Sequence, residues 1–175
     1  MDDIKAFFKF KPKRSSVEEM LSKIPVFENL SVKEIRQVAS IVHHRQYVPG
    51  EYVFYQDDPG LGMYVIEKGN VAIVLNNDDA TKKEVATLSD GDFFGEIALL
   101  DESPRSASVI AKTEAELIGF FRPDLFDIIE KTPKAGLKIV LKLAEMLGER
   151  LRNTNNELTK TRAELERIQS QQTKR

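Results

Sequence analysis

The fold is decided by residues 92–108, which read DFFGEIALLDESPRSAS. Gly95 allows the backbone to approach a ligand closely, and the amides of residues 96–98, which open the next turn, are suited to an anion. The Arg105 guanidinium matches two phosphate oxygens, whereas the Glu96 carboxylate can only accept and so needs a hydroxyl donor. An anion, a neighbouring hydroxyl and an apolar floor together describe a small sugar phosphate of low charge.

The run FGEIALLDESPRSAS at 94–108 resembles the phosphate-binding cassette of the cyclic nucleotide-binding domain family, F-G-E-[LI]-A-L followed after a few residues by P-R-[AST]-A. Residues 48–54 (VPGEYVF) and 63–71 (MYVIEKGNV) are similar to the family's first strands and turn glycines. The chain departs from the family at 57–58, where Asp-Asp replaces Gly followed by an acidic residue. The likeness covers residues 24–155 and implies a β-roll, a jelly-roll-like double-stranded β-helix.

The resemblance also implies a role for each residue of the cassette, which we define as residues 94–108. Glu96 is expected to accept a hydrogen bond from the ribose 2′-hydroxyl, with the Gly95 backbone against the sugar. Arg105 is expected to pair with the exocyclic oxygens of the cyclic phosphate, helped by Ser106 and Ala107. The ligand-binding residues expected here are Phe94, Gly95, Glu96, Ile97, Ala98, Pro104, Arg105, Ser106 and Ala107.

A second part of the site is implied for residues 150–155, which resemble the long dimer helix of the catabolite activator protein group. In that group two helix residues reach the adenine amino group, one from each subunit. Thr154 and Asn155 occupy those two positions here. They favour cyclic AMP over cyclic GMP as the ligand, although Ser106 is compatible with either purine.

Other chemistries fit the sequence poorly. A cyclic phosphodiester has one negative charge for one cation, whereas ATP would meet neither a phosphate-loop lysine nor a Mg²⁺ cluster. The chain has no cysteine, and its two histidines, His43 and His44, are adjacent and would face opposite sides of a strand. No G-x-S-x-G or H-E-x-x-H pattern occurs. We expect no catalytic residues, no metal and no cofactor other than the nucleotide ligand.

The rest of the chain predicts a mainly β domain with flanking helices over residues 17–131. Helices are expected at Val17–Ile24, after the capping-box pattern Ser31-x-x-Glu34, and from Arg122 to Ile129. Between them, short β-rich runs separated by Pro, Gly, Asn and Asp indicate a roll of about eight strands. The predicted runs are Gln46–Val48, Tyr52–Tyr55, Met63–Glu67, Val71–Leu75, Glu84–Leu88, Ala107–Ala111 and Leu117–Phe121.

Residues 134–171 predict one long C-terminal coiled-coil helix, because uncharged residues recur there with a 3-4 spacing. A homodimer through residues 137–168 is expected, since a helix of that length exceeds the width of a small roll. The alternative, a helix lying on its own roll, explains the pattern only as far as Leu151. The two heptad series are Leu137, Ala144, Leu151, Leu158 and Leu165, and Val140, Leu147, Thr154, Thr161 and Ile168.

Charge is distributed unevenly along the 175 residues, although the net charge is only −2. Residues 1–16 form a basic tail with five basic and two acidic groups, while residues 134–175 have ten and five. The acidic body between them does not suit a nucleic-acid backbone. The chain reaches Arg175 without a helix-turn-helix, so no DNA-binding domain is expected in it. Without an apolar leader or span, a cytoplasmic location is the simplest interpretation.

The two informative segments together predict a sensor. A cyclic nucleotide, cyclic AMP before cyclic GMP, would bind in the roll and alter the C-terminal helix and the dimer, and through them a downstream protein partner that the sequence does not name. The alternative is a ligand-free structural dimerisation or interaction protein with a degenerate pocket.

Overall fold

The strands form a roll of two antiparallel sheets. A computed structural model of the protein describes residues 16–76 and 82–172. Eight strands lie in this described part, in the orders β1-β8-β3-β6 and β2-β7-β4-β5, which confirms the predicted fold class. The strands are β1 (His43–Tyr47), β2 (Tyr52–Phe54), β3 (Gly62–Lys68), β4 (Val71–Asn76), β5 (Lys82–Leu88), β6 (Phe93–Phe94), β7 (Ser108–Ala111) and β8 (Ala115–Phe121).

Two strands differ most from the prediction. β1 begins at His43 rather than Gln46, and its three central residues are exposed, so the strand has no apolar alternation that could mark its start. The two-residue strand β6 was not predicted; it pairs with β3 through Phe93 and Val65 and through Phe94 and Tyr64. A run of two residues is too short to show the alternation of apolar and polar residues that marks a strand.

The first sheet separates two parts of the core, because β3 is buried on both faces. Met63 and Val65 belong to a cluster beneath the helices. Tyr64 and Ile66 point the other way, into the interior of the roll. Successive side chains of a strand alternate between its faces, so one apolar strand serves both clusters.

The N-terminal helices cover the outer face of that sheet. They are α1 (Ser16–Leu21), a 3₁₀ helix at Pro25–Phe27 and α2 (Val32–Ala39). The predicted capping box is confirmed: the Glu34 amide donates to Ser31 Oγ at 3.4 Å, and the Ser31 amide donates to Glu34 Oε2 at 2.6 Å. The predicted helix to Ile24 ends earlier, at Leu21. Residues 1–15 of the predicted basic tail lie outside the described residues.

Two helices follow the roll, α3 (Arg122–Lys131) and α4 (Pro133–Gln172). The start of α3 is stabilised by Asp124, whose Oδ2 accepts from the Phe121 amide at 2.8 Å. α4 is tied to the N-terminal helices by two ion pairs. Lys138 Nζ lies 2.8 Å from Glu34 Oε2, and Lys142 Nζ lies 2.6 Å from Glu28 Oε1.

The first part of α4 has two apolar faces. One face is buried against the body of the protein through Ala135, Ile139 and Leu143. The other face is exposed in this chain and includes three residues of the first heptad series, Leu137, Ala144 and Leu151. The body of the protein therefore accounts for only part of the pattern as far as Leu151, because Val140 of the second series packs against the core while the three residues of the first series stay exposed.

Beyond the body, α4 continues alone. Every residue from 151 to 169 is exposed, including Leu158, Leu165 and Ile168. Within the described ranges, no helix combines the length and apolar character needed to cross a membrane.

Candidate functional site

A cavity of about 420 Å³ lies at one end of the roll, within the size range of small-molecule sites. The cassette forms most of its wall, and Phe54, Ile73, Leu88 and Val109 from the second sheet and its ends supply apolar surface. Arg150 of α4 closes part of the rim.

Gly95 fixes the path of the cassette. Its φ of 77° lies in the left-handed region, where it ends β6 and precedes a 3₁₀ helix at Glu96–Leu99. A Cβ at this position would lie 2.7 Å from Arg105 Nη1 and 3.1 Å from the Gly62 carbonyl oxygen. Only glycine therefore permits this close approach. The Ala98 amide donates to the Gly95 carbonyl, so it is not free to face an anion as the sequence predicted.

Glu96 is buried in the cavity wall, with 5% of its surface exposed. Its Oε1 lies 2.7 Å from Nη1 of Arg150, whose own side chain is 61% exposed. A carboxylate in such a position needs partners for its oxygens. Arg150 supplies one of them from the opposite side of the cavity.

Arg105 is also buried, with 7% of its surface exposed. Its Nη1 donates to the Gly95 carbonyl at 3.3 Å, while its Nε has no hydrogen-bond partner among the described residues. Burial lowers the pKa of the guanidinium from its ordinary value, and the charges of Tyr64 and Asp58 oppose that effect. Arg105 forms no ion pair with another described residue; the nearby Glu102 carboxylate lies 3.8 Å from Arg122 instead.

The turn at 55–58 positions the Arg105 backbone. The Asp57 amide donates to the Arg105 carbonyl and the Arg105 amide donates to the Asp58 carbonyl, both at 2.9 Å. The Asp58 carboxylate accepts from the Tyr55 amide at 2.8 Å and closes the turn. Asp57 has a φ of 69° at the position where the family has glycine, so the chain keeps the turn despite the substitution.

The structure brings together the nine site residues predicted in the cassette, all of which line the cavity. It does not bring the two helix residues there. Thr154 lines a neighbouring cavity of about 610 Å³ beside α4, and Asn155 lines neither cavity. Arg150 lines both and was missed, although it lies one helical turn before Thr154 and so on the same helix face.

The two histidines contact different carboxylates, as their adjacent positions predict. His43 Nε2 lies 3.3 Å from Asp124, and His44 Nδ1 lies 3.5 Å from Glu67. In the part of the chain that the structure describes, no three His, Asp or Glu side chains are grouped closely enough to hold a metal ion.

Comparison with known proteins agrees with this geometry. A family model of the cyclic nucleotide-binding domain matches residues 44–132, and the chain therefore belongs to that family. The cyclic AMP receptor protein of Thermus thermophilus is 34% identical over 134 residues, which are 77% of this chain and 60% of that protein. A cAMP-dependent protein kinase regulatory subunit of Colletotrichum orbiculare is 33% identical over 105 residues, 60% of this chain and 26% of that protein.

Solved structures are similar in the same way. The catabolite activator protein of Thermus thermophilus has a TM-score of 0.69 at 34% identity, over 77% of this chain and 62% of that chain. A cyclic nucleotide-binding domain of Methylobacillus flagellatus has a TM-score of 0.68 at 25% identity, over 81% of this chain and 79% of that chain. This chain spans 60% or less of the length of the two curated relatives. The family match and these relatives together indicate that this domain is of a regulatory, cyclic nucleotide-binding class.

Proposed function

We propose that this chain is a cyclic nucleotide sensor that binds cyclic AMP in the roll and alters its C-terminal helix. The observation that carries the proposal is the state of Arg105, a buried guanidinium at the cavity wall with an unpartnered Nε and no carboxylate within ion-pair distance among the described residues. Burying such a charge is costly unless an anion compensates it. A cyclic phosphodiester supplies one negative charge and two exocyclic oxygens.

The remaining walls suit the rest of a nucleotide. Glu96 provides an acceptor for a sugar hydroxyl, and only one of its oxygens is held by Arg150. The apolar side chains Ile73, Leu88 and Val109 offer the surface against which a purine can be buried. One cation, one acceptor and an apolar wall match the order phosphate, ribose and base.

A regulatory role is supported by the contact of Arg150 with Glu96. A ligand hydroxyl that donates to Glu96 must share that carboxylate with Arg150 or displace it. The free energy of ligand binding then depends on the position of α4. Such a dependence is what couples a binding site to a helix. We propose that the nucleotide changes the position or the pairing of α4 in this way, and that the role is not catalytic.

The partner of α4 is proposed to be the same helix of a second subunit. The exposed apolar residues of α4, which we call its seam, recur at intervals of three, four or seven residues, and every residue from 151 to 169 is exposed. The seam residues are Leu137, Leu141, Ala144, Leu151, Leu158, Leu165 and Ile168. The relatives include a cyclic AMP receptor protein and kinase regulatory subunits. We therefore also propose a downstream protein partner, whose identity the proposal leaves open. A cytoplasmic location also stays a prediction.

We propose cyclic AMP rather than cyclic GMP as the ligand because of Thr154 and Asn155. Thr154 lies on the same face of α4 as Arg150, so a base that extends from the cavity toward α4 would meet it. Asn155 is the next residue; it is exposed in this chain and lines neither cavity. In a dimer it would serve the cavity of the partner.

Titration calorimetry with cyclic AMP and cyclic GMP tests the proposal. Wild type is expected to bind cyclic AMP more tightly than cyclic GMP, and Arg105→Ala is expected to lose most of the affinity. Arg105→Lys should recover only part of it, because lysine lacks the two parallel N–H donors of a guanidinium. Arg45→Ala, an exposed arginine of β1, is the control and should bind as wild type does. Equal heats for wild type and Arg105→Ala would refute the proposal and favour a structural dimer.

A further inference from the structure

The Arg105 guanidinium lies on the face of an aromatic ring. Its central carbon is 4.0 Å from the centroid of the Phe54 ring, well inside the distance at which a cation and a ring attract each other. Phe54 belongs to β2, on the second sheet, whereas Arg105 belongs to the cassette. The contact therefore joins two elements that meet at the cavity.

This contact stabilises the charge without using a hydrogen-bond donor. A phenyl ring attracts the cation through its π electrons and has no oxygen that would occupy the N–H groups of the guanidinium. A carboxylate partner would take two of these donors and would compete with the phosphate of a ligand. Among the residues that the structure describes, the Gly95 carbonyl is the one hydrogen-bond acceptor of this guanidinium, and it accepts from Nη1.

The Phe54 ring is itself held by other rings. Its centroid lies 6.1 Å from that of Tyr64 and 5.9 Å from that of Phe94, and the Tyr64 and Phe94 rings stack at 5.6 Å. These separations are typical of favourable aromatic pairs. Two further rings therefore pack around the ring that lies under Arg105.

We propose that Phe54 is a positioning residue that holds the Arg105 guanidinium ready for an anion in place of a carboxylate. This inference rests on the proposed function, since its consequence is measured as nucleotide affinity. Phe54 acts through Arg105, so an aromatic replacement retains the effect and an aliphatic one of similar size loses it.

Binding of cyclic AMP to Phe54→Leu and Phe54→Tyr provides the first test. A desolvated cation–π contact is lost in the leucine variant, which is expected to bind about 3- to 30-fold more weakly, while the tyrosine variant stays within about twofold of wild type. Val71→Ala is the control for lost core volume. Val71 lies in the same apolar cluster but does not line the cavity, so this variant should melt lower and bind normally.

The Arg105 Nε–H signal in a ¹H–¹⁵N NMR spectrum of the ligand-free protein provides the second test. The ring current of the aromatic side chain should shift this signal in wild type and in Phe54→Tyr, and Phe54→Leu should abolish the shift. Loss of the peak in Arg105→Lys assigns it. An unchanged signal in Phe54→Leu overturns the inference, as does equal weakening of binding by leucine and tyrosine. If wild type binds no cyclic nucleotide, the proposed function fails, whereas the NMR signal still reports whether Phe54 orients Arg105.

Discussion

Arg150 of α4 donates from Nη1 to Oε1 of Glu96 across the mouth of the cavity, at 2.7 Å. The carboxylate is buried in the roll, and the arginine lies where α4 leaves the body of the protein. The wall of the cavity and the start of the exposed part of α4 are therefore in direct contact. We expect a change at one end of this pair to alter the other.

Arg150→Gln is expected to uncouple α4 from the site. Removing the cation leaves a buried carboxylate without this partner, at a cost of about 1–3 kcal/mol in the free energy of unfolding. Cyclic AMP should still bind through Arg105, but amide hydrogen exchange of residues 151–168 should no longer respond to it. Arg152→Gln, on an exposed part of the same helix, should keep the response. A response that persists in Arg150→Gln would mean that the coupling takes another route.

Gly95→Ala is expected to reduce both stability and nucleotide affinity. The positive φ costs about 1–2 kcal/mol for a residue with a Cβ, and that Cβ would also press on the Arg105 guanidinium. Gly91→Ala separates the two effects. Gly91 has a φ of 85° but nothing within 4 Å of its Cβ position, so this variant should lose stability alone. Thermal melting and calorimetry of both variants make the comparison; equal losses of affinity would argue against the steric explanation.

The ion pair between Glu34 and Lys138 should make the free energy of unfolding depend on pH in the acidic range. The hydrogen bond from Lys138, the largest cause, lowers the pKa of the Glu34 carboxyl from 4.5 to about 2 against the opposing effect of burial. A lowered folded-state pKa stabilises the protein at pH values above 4.5, and this stabilisation is lost as the pH falls from about 4.5 toward about 2.

Glu34→Gln should therefore be less stable than wild type at pH 7, by about 2 kcal/mol, and the difference should shrink as the pH falls. Urea unfolding at several pH values between 7 and 2.5 measures it. Lys138→Met should flatten the profile in the same way, while Lys23→Met, from an exposed pair with Glu19, should not. A constant difference between wild type and Glu34→Gln across this range would exclude the ion pair as the source.

Leu158→Glu is expected to convert a dimer to a monomer. Leu158 is an exposed seam residue of α4 beyond the body of the protein. A charged side chain at such an apolar contact position destabilises the pairing of two helices. Asn156→Glu adds the same charge on the opposite side of the helix and should leave the dimer intact. Sedimentation equilibrium distinguishes the two states. A monomeric wild type, or a dimer in both variants, would contradict the proposed seam.

The cassette and the order of the elements could be predicted from the sequence because their signals are local. Gly95, Glu96 and Arg105 stand at fixed separations, and the capping box of Ser31 and Glu34 marks a helix start within four residues. The remaining features depend on contacts between distant segments. Nothing near Phe54 indicates that its ring will lie under Arg105, which is about fifty residues further along the chain.

The seam of α4 illustrates the same limit. Its spacing predicts a helix with an apolar stripe, but a stripe alone does not say which surface covers it. The structure shows that Ile139 and Leu143 face the body while Leu137 and Leu151 do not. The division between the two faces follows from how α4 packs on α3 and the N-terminal helices. Periodicity alone could not supply it.

In the proposed coupling, the exposed part of α4 would act as a lever. From Leu151 to Gln172 it extends about 32 Å at about 1.5 Å per residue, so a tilt of about 10° at its base would move its tip by about 5 Å. A small adjustment where the helix leaves the roll is thereby magnified into a displacement larger than a side chain. Lengthening or shortening this arm would tune the reach of the signal without touching the pocket.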